Sequence, residues 1–158
     1  MSSQGSEFLT WLGQAFVVGV GWYVVHVLSA NRDREKARRE TLVKTADALS
    51  DDAVSLLLHA RNYHSKARDV SEELRIKMSL QDLSIKVNAL ADIFTEAALL
   101  AQCRSQILAL RKAISGRHFE DEHTGPLADN DLQYQLMAEA ALELKRALLK
   151  IKNRQFIT

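Results

Sequence analysis

One cysteine, one proline and six glycines occur among 158 residues. Cys103 has no second thiol in the chain, so an intrachain disulfide and a CxxC redox or metal pair are both excluded. No glycine-rich phosphate loop and no nucleophile elbow is present, so the commonest phosphate-binding and hydrolytic chemistries have no signature here. The charge balance, 21 basic against 20 acidic residues, lacks the positive excess that grips long nucleic acid, and genomic DNA is not an expected partner. With few glycines and one proline to interrupt it, and with Ala, Leu, Glu, Lys and Arg abundant, the composition is that of an all-α chain.

What the sequence does contain is divided sharply. Residues 8–30, "FLTWLGQAFVVGVGWYVVHVLSA", carry no charge over 23 positions, and "NRDREKARR" follows at once. As a helix rising about 1.5 Å per residue, such a block covers a hydrocarbon core of about 30 Å, which predicts an N-terminal transmembrane helix. A cleaved signal peptide fits less well, because no basic region precedes the block. Only Glu7 stands before it, while Arg32, Arg34, Lys36, Arg38 and Arg39 come after, so the positive-inside rule places the N-terminus outside and the C-terminal part in the cytoplasm. The expected organisation is an extracytoplasmic tail at 1–7, the transmembrane helix at 8–30, a charged helical neck at 31–49 and a cytosolic helical bundle at 50–158.

Within the bundle, Leu42, Ala46 and Leu49 recur at helical spacing, and "SDD" at 50–52 reads as a cap that starts a new helix or a bend. A second capping signal lies at Asp69 and Ser71, backed by Glu72 and Glu73. From there one long helix is expected to run to Ile114, with Leu83, Val87, Leu90, Phe94 and Ala97 in heptad steps and Gly116 closing its last turn at positive φ. Asp129 or Asn130 should cap a final helix with an apolar stripe of Leu132, Leu136, Leu142, Leu148 and Leu149.

Candidate sites are few, and none has a catalytic pattern. His118 and His123 bracket Glu120, Asp121 and Glu122 in a loop, an arrangement read as solvated acid and not as a metal site, so no cofactor is expected. His59 and His64 stand about 140° apart around a helix and do not share a face. Cys103 reads as a small buried hydrophobe. "HARNYHSKAR" interleaves Arg61, Lys66 and Arg68 with Tyr63, the mixture that phosphates and stacked bases require. In the apolar block Thr10, Gln14, Val17, Gly21, Val24 and Leu28 lie within about 40° of one line, a narrow small and polar face suited to a homo-oligomer interface or a pore lining.

In layout, with a short tail, one uncharged helix, the neck "NRDREKARR" and a compact helical domain, the chain resembles the small bacterial membrane effectors of nucleotide-signalled antiphage systems, of the Hailong type or associated with type III CRISPR. The resemblance implies a homo-oligomeric inner-membrane effector, a ligand-gated pore or ion channel whose cytosolic domain responds to a nucleotide or oligonucleotide. Its partners would then be its own copies, the lipid bilayer and that ligand. The alternative is a single-pass anchor whose bundle docks a partner protein.

Overall fold

The computed structural model describes the backbone of residues 3–116, 119–121 and 125–154, and within them the side chains from Val20 onward. All regular structure among the described residues is helical: α1 (Ser3–His64), α2 (Val70–Ala89) with a 3-10 turn at Leu90–Asp92, α3 (Ala97–Ile114) and α4 (Leu132–Arg154). The chain divides into two compact units, Met1–Glu40 and Thr41–Thr158.

The expected transmembrane helix at 8–30 is corrected: among the described residues no helix is long and apolar enough to cross a membrane. The side chains of 8–19 lie outside the described residues. Val20–Ala30, the part of the block whose side chains are described, continues without a break in the same helix through Arg32, Asp33 and Arg34. Without a span the positive-inside rule has no membrane flank to act on. The inner-membrane localisation, the outside tail, the cytoplasmic assignment and the ion-channel role that depended on it are withdrawn together.

The second unit is an up-down-up-down four-helix bundle, and each of its helices buries residues in alternating steps of three and four. In α1 these are Leu42, Ala46, Leu49, Ala53, Leu56, Ala60 and Tyr63; in α2 and its 3-10 turn, Glu73, Ile76, Leu80, Leu83, Val87 and Leu90. In α3 they are Leu100, Cys103, Ile107, Leu110 and Ile114, and in α4 Met137, Ala141, Leu144, Leu148 and Ile151. That is the spacing of knobs-into-holes packing between antiparallel helices. Surface ion pairs follow the same neighbours, Lys152 with Asp47 at 2.9 Å between α4 and α1 and Lys86 with Asp52 at 2.8 Å between α2 and α1. Each is solvated and worth well under about 1 kcal/mol.

Three local expectations change. "SDD" does not start a helix: Leu49 and Ala53 stay in phase across it, so a break would have cost the seam a step, and Asp52 pairs with Lys86 instead. The helix expected from Ser71 to Ile114 is two helices. Its chain turns where Phe94 N–H closes on Leu90 O at 2.8 Å and Glu96 takes an extended conformation. Ala97, expected on the seam, is exposed. Gly116 has no positive φ, and the one group close to where its Cβ would stand is the end of the flexible Gln133 side chain, whose amide donates to Ala113 O.

The last helix is capped one residue beyond the expected pair, Asp131 Oδ1 accepting from Gln133 N–H at 2.8 Å. Of its expected leucine stripe only Leu148 is buried; Leu132, Leu136, Leu142 and Leu149 are 64, 44, 47 and 51% exposed. Leu144→Ala, at a fully buried seam position, should therefore lower the unfolding free energy by about 2 to 5 kcal/mol in urea titration, and Leu142→Ala by less than about 1 kcal/mol. Equal losses would place the wrong face inward.

Candidate functional site

The most organised polar cluster among the described residues lies where α1 ends and α2 begins. Asp69 caps α2, its Oδ1 accepting from Ser71 N–H at 2.9 Å and from Ser71 Oγ at 2.6 Å, and Glu73 N–H donates to Asp69 O at 3.0 Å. One turn in, Glu73 occupies a seam position and is 3% exposed. Its Oε1 accepts from Tyr63 Oη at 2.6 Å and from Arg68 Nε at 2.6 Å, while Arg68 Nη2 donates to Oε2 at 3.2 Å. The guanidinium thus grips both carboxylate oxygens, the geometry in which such pairs are strongest.

Beside this lock, His64 is 3% exposed and its Nε2 lies 3.0 Å from Ile114 O at the end of α3. A carbonyl can only accept, so Nε2 carries the proton in that contact. Leu127 N–H donates to His64 O at 2.8 Å, tying the approach to α4 to the same point. Phe119 closes the cluster, its ring 5.3 Å from that of Tyr63 and 6.3 Å from that of His64. Next to it Glu120 stands at φ 67°, a left-handed conformation costly for a residue with a Cβ, and pairs with Lys77.

Arg68 holds the Glu73 carboxyl below the usual carboxylate range, outweighing the burial that acts the other way. Burial, and then the bond to Glu73, pushes Tyr63 up to about 12. At neutral pH the cluster is an anion held by one cation and one neutral hydroxyl. A carboxylate so weakly basic and engaged at both oxygens is a poor proton acceptor for chemistry, and an effective clamp.

The four residues expected to meet a phosphate do not converge on open space. Tyr63 and Arg68 are bound to Glu73. Arg61 sets its guanidinium carbon 5.6 Å from the centre of the Tyr134 ring on α4, and Lys66 is exposed in the turn after α1. On the expected interface face, Thr10, Gln14 and Val17 lie outside the residues whose side chains are described, while Val24 and Leu28 are 47 and 58% exposed. A Cβ at Gly21 would meet nothing within 4 Å. His118, Glu122 and His123 also lie outside the described residues, among which no group of three metal-binding side chains occurs. Cys103 is fully buried and its thiol is pushed up to about 11 by desolvation. The residue that sequence reasoning missed is Glu73, read as a helix-terminal acid; the available signal was a charge on the seam, three residues before Ile76 and seven before Leu80.

No protein-family model, no curated protein and no solved structure matches this chain.

Glu73→Gln removes the carboxylate that Arg68 grips and should cost about 2 to 4 kcal/mol in denaturant, the lower end allowing for the part of Arg68 still in water. The carboxyl titrates near 4.5 when unfolded and lower when folded, so the unfolded chain binds more protons between those values. The stability from Glu73 is complete above about pH 4.5 and lost as pH falls through the folded value; Glu73→Gln should flatten that acid limb. An unchanged limb would remove the clamp. For Tyr63 the sign reverses: its contribution is complete below its ordinary 10.0 and lost as pH rises through about 12.

Proposed function

We propose that the chain is a self-associating docking module, in which the N-terminal helix joins copies of the chain and the four-helix bundle is the domain they present. One observation carries this reading: from Val20 to Leu28 seven large apolar side chains are exposed, Trp22, Tyr23 and Val25 by 66% or more. Contiguous apolar surface of this kind marks an interaction site, and burying each such side chain is worth about 1.5 to 3 kcal/mol. A second copy is the occupant the pattern supports best. Gly21, Val24 and Leu28 repeat in steps of three and four, every copy carries the same row, and open space at Gly21 allows backbones to approach closely. A role in docking, not catalysis, is supported by the engagement of Glu73, Tyr63 and Arg68 with one another. A nucleotide ligand draws no support from the geometry, since two of its four expected contacts hold Glu73.

Native mass measurement and sedimentation of the full chain should give a multimer. Leu28→Asp should weaken it at least tenfold, whereas Val20→Leu, which keeps an apolar side chain, should leave it unchanged. A parent that stays monomeric, or that floats with lipid vesicles and does not self-associate, overturns the reading.

A further inference from the structure

Opposite its buried seam, α2 carries a second apolar row. Leu74, Met78 and Ile85 are 59, 63 and 58% exposed, and Gln81, between the last two, is exposed as well. At about 100° per residue the four lie within about 60° of one another and half a turn from Leu83 and Val87 in the core. Their steps of four, three and four repeat the heptad on the side of the helix that the bundle leaves open.

We propose that α2 pairs in parallel with α2 of a second copy of this chain through Leu74, Met78, Gln81 and Ile85, with Lys77 facing the partner's Asp82. The charges fit this occupant. In a parallel coiled coil a residue just before one seam position meets, on the partner, the residue five places further on. Lys77 and Asp82 are five apart and flank the row on opposite sides, so two-fold symmetry forms the pair twice. An antiparallel pairing loses both Lys77–Asp82 pairs and sets Asp82 beside the partner's Arg75, which flanks the row on the same side; a change at Lys77 alone then separates the two arrangements.

The shape of the face agrees. A shallow, open depression is lined by Ser71, Leu74, Arg75, Met78, Ser79 and Asp82. Residues 71, 74, 75 and 78 form the four-cornered hole that receives a knob, and in the parallel register the knob is the partner's Leu74. Leu at the position of residue 74 and a β-branched Ile at that of residue 85 favour two strands, and Gln81 stands opposite its own copy in the seam.

Little stands against the contact. The bundle already holds α2 helical, so no nucleation cost is added. Lys77 leaves a solvated pair with Glu120 and a contact 6.0 Å from the centre of the Phe119 ring, and Asp82 leaves a solvated pair with Lys86, each of which contributes little. The row is short, about 16 Å, and its area falls below the roughly 1,600 Å² of a standard interface, so the dimer is concentration-dependent. This contact is separate from the N-terminal one and does not depend on it.

The test is charge exchange, read by sedimentation equilibrium on the full chain carrying Leu28→Asp to weaken the N-terminal contact. The Leu28→Asp chain should dimerise as concentration rises. Lys77→Asp sets two carboxylates together across the seam, Asp82→Lys sets two ammonium groups together, and each change alone should weaken dimerisation at least tenfold. An equal mixture of the two should dimerise again, because each of its cross-pairs is complementary. Failure of the Leu28→Asp chain to dimerise, unaltered dimerisation of either single variant, or a mixture no tighter than its components overturns the pairing. Recovery confined to the mixture depends on residues 77 and 82 alone, so the two self-contacts fail independently. Met78→Asp should abolish dimerisation in every combination, and a dimer that survives it also overturns the proposal.

Discussion

The bundle depends on one constraint: each of its helices buries a single row in steps of three and four, and all four rows must meet at one axis. α1 meets it with a strict alternation, Leu42, Leu49 and Leu56 at one seam position and Ala46, Ala53 and Ala60 at the other. Large and small side chains then interdigitate, and the alanines let neighbouring helices come close. No single surface ion pair could hold this arrangement, since each is solvated and weak.

At the end of the bundle the same constraint produces the buried cluster. The α1 row finishes at Tyr63 and the α2 row starts at Glu73, so a ring and a carboxylate occupy places that leucines fill elsewhere. A leucine at 73 would bury as well but would take away the acceptor that Tyr63 Oη and the Arg68 guanidinium share. The carboxylate therefore does what apolar packing cannot, fixing how the chain leaves α1 and enters α2, because a hydrogen-bonded charge tolerates one geometry where a leucine tolerates several.

Function follows from what the rows leave over. A helix that spends one face on a bundle and still carries an ordered apolar row on the other has a partner's pattern written into it, and α2 is such a helix. In the N-terminal unit the exposed aromatic and aliphatic side chains from Val20 to Leu28 are the surface on which the proposed self-association rests.

Helical class, the cap at Asp69 and the burial of Leu42, Ala46, Leu49 and Cys103 were determined by local composition and spacing, which the sequence carries in full. Spacing cannot reveal direction, so the reversal at Leu90–Glu96 was invisible: the rows before and after it use the same residue types, and neither glycine nor proline marks the turn. Nor can leucine content choose a face. On α4 the row of Met137, Ala141, Leu144 and Ile151 won over Leu132, Leu136, Leu142 and Leu149 because only the first keeps the three-four step facing the other helices. Tyr63, Arg68 and Glu73 became one site only through folding, since the acceptor that joins them was read as a separate helix-end charge until packing brought it under Tyr63.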